Sequence, residues 1–188
     1  MTVHGAFRGN VRDGLGWLNT ASRPDPVNVF HRANLPRVGL DDVATAATGV
    51  MCSVALYLND GDTVTNLTFI SGGTAAGTPT NCFVALYSGA GVFLGQSADQ
   101  LTAAWAADTA KTIALAAPVK ISKSGIYFAA ISVTASTVPT LIGSTGAKPF
   151  LIGEGNLAQT SGSSLTGTAP ATIATPAFKR AVPLVIAT

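Results

Sequence analysis

Few residues of this chain could carry acid–base or nucleophilic chemistry, and they are not grouped. Its 188 residues include two histidines, His4 and His31, and two cysteines, Cys52 and Cys82. Catalysis needs titratable groups that converge, yet both histidines lie in a segment without regular pattern, apart from the cysteines. The cysteines lack zinc-site spacing, and no GxxxxGK[ST] or GxGxxG motif is present. We therefore expect no enzyme, no cofactor and no metal.

Oxygen ligands for calcium are the one metal alternative. Asn59-Asp60-Gly61-Asp62 forms a short acidic run, and Asp41 and Asp42 lie elsewhere in the chain. Hard cations favour such oxygens, but the EF-hand spacing is absent. Asp, Asn and Gly are also ordinary turn residues, so a turn between two strands is the favoured interpretation.

Both cysteines lie inside apolar runs, which is typical of buried small side chains. A disulfide stays open if their strands are adjacent, whereas synthesis in the cytoplasm would argue against one. The residues after Met1 include arginines and glycines where a signal peptide needs an unbroken apolar stretch, so we expect no export signal. We also expect no membrane span, because no apolar stretch approaches roughly 20 residues.

The composition predicts an unusually uncharged surface. Apolar residues make up 47% of the chain and charged residues only 11%, where roughly a quarter is usual. The surplus of apolar residues must be buried in the fold or against neighbouring subunits.

Residues 1–48 are predicted to form an extended assembly arm. Frequent Gly and Pro break both the helical and the strand period, while scattered large apolar residues resemble separate anchors. The first 40 residues carry a net charge of +3 and the remainder −1. Nucleic acid is an alternative partner, but the lysine density of a dedicated binder is missing, so we expect none. The candidate partner-binding residues are Arg8, Arg12, Trp17, Arg23, Phe30, Arg32, Leu35 and Arg37.

Residues 49–188 are predicted to form a β-sandwich with an irregular C-terminal extension. Apolar residues alternate in 50–58, β-branched residues are frequent in 63–70, and residues 81–87 and 125–133 are apolar on both faces, with turn residues between these segments. Further strands are expected at 92–96, 111–116, 119–121 and 182–187, and residues 159–168 read as a loop. The capping-box spacing of Ser97 and Gln100 predicts one short helix over residues 99–107. The fold class is thus all-β, an antiparallel sandwich or jelly roll with an extended N-terminal arm.

A set of turn and core residues within 73–133 carries a family resemblance. It comprises Thr80-Asn81 before the Ala85-Leu86-Tyr87 strand, Gly91, Leu94, Ser97-Ala98-Asp99, Trp105, Lys111, Pro118 and Gly125-Ile126-Tyr127-Phe128-Ala129-Ala130. The segment, about a third of the chain, resembles a β-sandwich module of minor tail and other virion proteins of phages that infect actinobacteria. The resemblance implies a structural protein of the virion, made in the host cytoplasm, and carries over no catalytic or ligand residue.

The leading expectation is therefore a non-enzymatic protein on the phage exterior, of minor tail or fibre type. Its expected partners are other virion subunits and copies of itself, a trimer being one option, with a host-surface glycan as a further candidate. Capsid decoration is the alternative that the small size favours. A carbohydrate-binding module is a more remote one, because it would need exposed aromatic side chains.

Overall fold

The computed structural model describes residues 32–43, 46–147 and 155–188, and in these ranges it contains strands but no helix. No segment of the described chain is a helix that could cross a membrane. The thirteen strands are β1 (Arg32–Ala33), β2 (Asp41–Val43), β3 (Met51–Leu58), β4 (Thr63–Ile70), β5 (Gly77–Tyr87), β6 (Phe93–Gln96), β7 (Ala110–Lys120), β8 (Gly125–Thr137), β9 (Leu141–Ser144), β10 (Ala158–Ser161), β11 (Ala177–Phe178), β12 (Val182–Pro183) and β13 (Val185–Ala187).

All pairings among these strands are antiparallel, and they form three sheets. The largest has the order β11-β10-β3-β8-β5-β6, the second β1-β13-β4-β7, and the third β12-β9-β2. Alternate residues of the first two sheets meet in one buried cluster, to which β3, β4, β5, β7, β8 and β13 all contribute. The predicted all-β sandwich is therefore confirmed.

The centre of the six-stranded sheet is built from β3, β8 and β5, whose residues are apolar at nearly every position. In β3, Cys52, Val54, Leu56 and Leu58 point into the sandwich and are at most 2% exposed. β8 lies between β3 and β5 and pairs with both. A strand covered on both faces needs apolar residues at odd and even positions alike, and the sequence of β8 has them.

The outer face of this sheet is covered by residues 162–176, which we call the strap. Met51, Phe83, Tyr87 and Phe128 form a second buried cluster there, with strap residues packed against it. The sequence predicted a loop at residues 159–168; β10 occupies its first part, and the irregular remainder packs on the sheet.

Hydrogen bonds from two side chains, Gln96 and Tyr87, hold the strap in place. Gln96 accepts a hydrogen bond from the backbone N–H of Ala169 (2.8 Å) and donates one to the carbonyl of Gly167 (3.1 Å). The hydroxyl of Tyr87 donates to the carbonyl of Pro170 (2.9 Å), and burial raises the pKa of Tyr87 to about 12. The strap thereby gains hydrogen bonds that its irregular backbone cannot make within itself.

The predicted helix over residues 99–107 is wrong. Gln100 donates its backbone N–H to the carbonyl of Cys82 instead of starting a helical turn, and Leu101 has a positive φ of 50°. The side chain that would cap a helix is also engaged elsewhere, because the hydroxyl of Ser97 accepts from the N–H of Val84. Pairing with the adjacent β5 therefore prevails over the local capping signal.

Other strand limits also differ from the sequence prediction. β5 begins four residues early because the long β8 provides partners for Gly77 and Pro79. The two strands expected around Pro118 are one continuous strand, β7, at the edge of its sheet, where a proline costs no ladder hydrogen bond. The predicted closing strand is split, since β12 and β13 belong to different sheets.

The structured unit includes residues that the sequence assigned to the arm. β1 pairs with β13, and β2 pairs with β9. Asn34 reinforces the first pairing, because its side chain donates to the carbonyl of Pro183 and accepts from the N–H of Val185. The parts of the arm without described structure are thus residues 1–31 and 44–45.

Candidate interaction surfaces

The predicted partner-binding residues divide into two groups. Arg8, Arg12, Trp17, Arg23 and Phe30 lie outside the described residues, so their role stays a prediction. The other three, Arg32, Leu35 and Arg37, lie along one short segment at the start of the structured unit, where Arg37 is exposed.

Arg32 lies against the turn between β3 and β4. Its Nε donates to Oδ2 of Asp62 (3.1 Å) and its Nη2 to Oδ1 (3.0 Å). Oδ2 of Asp62 also accepts the backbone N–H of Asn59 (2.8 Å). This two-pronged geometry is the stronger form of an Arg–carboxylate pair. Arg32 therefore meets a carboxylate, as expected of the arm arginines, but that carboxylate belongs to the same chain.

Leu35 lines a cavity of about 300 Å³ at the side of the sandwich. Its other walls include Ala55, Ala147, Leu157 and Val182. Leu35 itself is half-buried and packs against the main core. Leu35 was predicted to contact a partner subunit, but it packs at least partly against the core of its own chain.

An exposed apolar patch, which we call the end patch, lies on the outer face of the six-stranded sheet, beyond the strap. Tyr57, Ile126 and Leu157 are 54%, 49% and 56% exposed. Tyr57 and Ile126 are direct cross-strand partners, and the carbonyl of Leu157 accepts from the N–H of Ala55, two residues before Tyr57. The period of a strand in the sequence cannot show that the cover over this face ends before Tyr57.

Next to the end patch is a trough on both sides of the β5–β6 turn, and Lys123 is the one charged residue in its described lining. One part, of about 260 Å³, is lined by glycines, by apolar Ala90, Phe128, Ile173 and Pro176, and by the amides Asn156 and Gln159. The second part, of about 450 Å³, shares Gly89 and Ala90 with the first and is also lined by Ile126 and Tyr127. Gly89 is required, since a Cβ there would lie 2.5 Å from the carbonyl oxygen of Ile126.

The two amides of the trough are buried and joined. Asn156 is 8% and Gln159 4% exposed, and Nδ2 of Asn156 donates to Oε1 of Gln159 (3.1 Å). The buried Oδ1 of Asn156 accepts no hydrogen bond. A buried acceptor without a donor is costly, so this atom calls for an explanation. Sequence analysis missed both residues, which carry no recognisable motif.

The carboxylates in the described part of the chain serve the fold and do not gather into a metal site. Oδ2 of Asp42 accepts the N–H of Gly73 (2.7 Å), far from the Asp62–Arg32 pair. Within the described ranges, no group of three or more His, Cys, Asp or Glu could hold an ion. The acidic run at residues 59–62 forms the turn that the sequence favoured.

Asp99 links three parts of the chain. It accepts hydrogen bonds from the side chain of Asn81 and from the backbone N–H groups of Cys82 (2.8 Å) and Leu101 (3.0 Å). Desolvation raises the pKa of Asp99, but these three hydrogen bonds together outweigh it and hold the pKa below its usual value. Its carboxylate stabilises the segment where the helix was expected.

Both cysteines are buried and free, as the prediction of reduced thiols required. Burial raises the pKa of Cys52 and of Cys82 to about 11, although Lys179 and Lys111 respectively oppose the shift. β8 separates their strands, placing them about 10 Å apart across the sheet. That separation is beyond disulfide reach, so the predicted alternative of a bridge does not apply.

Two further aromatic residues of the described chain, Trp105 and Tyr127, stabilise the fold. Trp105 is 4% exposed, its Nε1 donates to the carbonyl of Thr109 (3.1 Å), and Lys111 Nζ lies 5.5 Å from its ring centre. Tyr127 donates its hydroxyl to the carbonyl of Lys123. Of the tyrosines, Tyr57 alone is largely exposed.

No protein-family model matches this chain, and no curated protein matches it.

Proposed function

We propose that this chain is a non-enzymatic structural protein of a bacteriophage virion, placed on the particle exterior as a subunit of minor tail or fibre type. The observation that carries the proposal is a sandwich with few charged residues and an exposed apolar end patch, Tyr57, Ile126 and Leu157. Clustered exposed apolar side chains favour association with other protein surfaces. Charged residues are depleted at the centres of such interfaces, in keeping with the composition of this chain.

The described carboxylates support a structural role. Asp42, Asp62 and Asp99 each accept hydrogen bonds that hold strands or loops together. Catalysis by carboxylates needs groups directed at a common point in a cleft. In the described chain these three serve separate places in the fold.

The family resemblance supports the phage assignment. Residues 73–133, which carry it, include the central strands β5 and β8 together with β6 and β7. The segment thus supplies β5, β6 and most of β8 in the six-stranded sheet, and β7 in the four-stranded one. Capsid decoration is the second candidate, favoured by the small size of the chain and its single sandwich.

The test is incorporation of the chain into particles. Residues 1–31, which bear most of the arm arginines, are deleted, and β1 and β2 are kept because they belong to the sheets. We expect the truncated protein to fold and to be absent from purified particles. A matched full-length variant, Arg32→Ala, tests whether that arginine serves only its own chain. Normal incorporation of the truncated protein would contradict the assembly role of the arm.

A further inference from the structure

The trough beside the β5–β6 turn combines several features of a ligand-binding site. The proposed role as a structural protein does not account for these features. Its first part holds a buried amide pair, Asn156 and Gln159, beside the ring of Phe128 and the apolar Ile173 and Pro176. Among the described residues, no ionisable side chain lines that part, and Lys123 is the one cation in the lining of the second. The described lining of the trough therefore offers an anionic ligand little positive charge.

We propose that this trough binds a neutral oligosaccharide. A sugar ring presents hydroxyls, which both donate and accept hydrogen bonds, and C–H faces, which pack on aromatic and aliphatic side chains. Ligand sites commonly join an apolar lining to a few placed polar groups, and the trough has this character. The proposal deepens the proposed function and rests on it only for the source of the sugar, a glycan on the host surface.

The unpartnered oxygen of Asn156 identifies the polar end of the site. Because Asn156 Nδ2 is engaged by Gln159, its Oδ1 is left as an acceptor that needs a donor. A sugar hydroxyl supplies such a donor, whereas phosphate and carboxylate groups do not. Asn156 lines the first part of the trough, and the broad minimum of the terminal torsion of an Asn side chain allows its amide to reorient when a hydroxyl donor binds.

The shape of the trough suits an extended ligand. Its parts, of about 260 and 450 Å³, lie on either side of the turn and have Gly89 and Ala90 in common as lining residues. The first part is near the lower limit of typical ligand pockets, which fits one or two rings. The exposed Ile126 at the second part continues into the end patch.

The experiment uses the purified full-length chain on an array of neutral glucans, galactans and mannans with matched uronic and sialylated sugars. The best neutral binder is then titrated by NMR up to about 10 mM, which reveals even millimolar affinity. We expect Asn156→Ala to weaken binding about fivefold to tenfold, the usual effect of one lost hydrogen bond. Ala90→Trp should abolish it, because Ala90 lines both parts of the trough and the indole would occupy space there. Ala75→Trp, an exposed loop alanine at the opposite end of the sandwich, is the matched control and should bind normally.

Three results would overturn the inference: no neutral sugar bound, binding restricted to acidic sugars, or equal affinity in Ala90→Trp and Ala75→Trp. Ala90 is exposed in a turn, so this comparison is informative even if Asn156→Ala fails to fold. Incorporation into particles is measured separately. If the chain is present in particles but binds no sugar, only this inference is contradicted. If the chain binds a sugar but is absent from particles, only the proposed function is contradicted.

Discussion

Arg32 and Asp62 form a two-pronged ion pair that fastens the first described strand to the turn between β3 and β4. Their side chains are 16% and 10% exposed, so solvent screens the pair only partly. The pair connects a segment that sequence analysis assigned to a partner-binding arm with the body of the same chain. Its removal is therefore expected to affect folding stability.

We expect Arg32→Ala to lower the free energy of unfolding by about 2 kcal/mol, because it leaves a largely buried carboxylate without its cation. Arg37→Ala, at an exposed position nearby, should change it by less than about 0.5 kcal/mol. Urea denaturation of both variants measures the difference. Equal stabilities would show that the ion pair does not fasten β1.

Replacement of Asp99 by Asn should cost about 1 kcal/mol at neutral pH, since it puts an amide donor opposite the side chain of Asn81. The control is Asp60→Asn in an exposed turn. The folded-state pKa of Asp99 lies below its unfolded value, so the unfolded state takes up the proton first as the pH falls. The advantage of the wild type should therefore be complete above about pH 5 and shrink below about pH 4. Denaturation curves at several pH values test this, and a stability difference that grows on acidification would contradict it.

Cys52 and Cys82 should resist thiol reagents in the native protein up to about pH 9, because burial both blocks access and raises each pKa to about 11. Unfolding should expose two reactive thiols. Labelling followed by mass spectrometry counts them. Rapid native labelling would contradict the burial, and a mass lower by two hydrogens would reveal a disulfide.

Two buried serines should respond oppositely to loss of the hydroxyl. Ser132 has no hydrogen-bond partner for its Oγ, so Ser132→Ala should be neutral or stabilise by up to about 1 kcal/mol. Ser71 Oγ donates to the carbonyl of Ala106 (2.6 Å) and accepts the N–H of Thr109 (3.0 Å). Ser71→Ala should cost about 1–3 kcal/mol. Thermal unfolding of the pair tests this, and a similar loss in both would indicate a water bound at Ser132.

The sequence predicted the sandwich because the central strands have a simple pattern. Residues 51–58 and 63–70 alternate and are bounded by turn residues, and the structure places strands at these limits. The hairpin at β5 and β6 was equally predictable from its short Gly-rich turn. Local chemistry determines these features.

Other features depend on distant partners and could not be predicted. The helix signal at Ser97 fails because its hydroxyl accepts from Val84 instead. Asn156 has no sequence neighbour that marks it, and its place in the trough depends on where the β5–β6 turn and the strap meet. The packing of residues 162–176 on the six-stranded sheet could likewise not be predicted from the sequence, because the segment has no periodicity to show which surface it packs on.

The proposed function makes this chain a phage gene product, and electron cryomicroscopy of intact particles of that phage tests this central claim most directly. We predict density on the particle exterior at the tail that fits the thirteen-stranded sandwich, with the end patch of Tyr57, Ile126 and Leu157 turned toward a neighbouring subunit. Density in the head lattice would favour the decoration alternative. Particles that lack the sandwich altogether, confirmed by mass spectrometry of their proteins, would contradict the account.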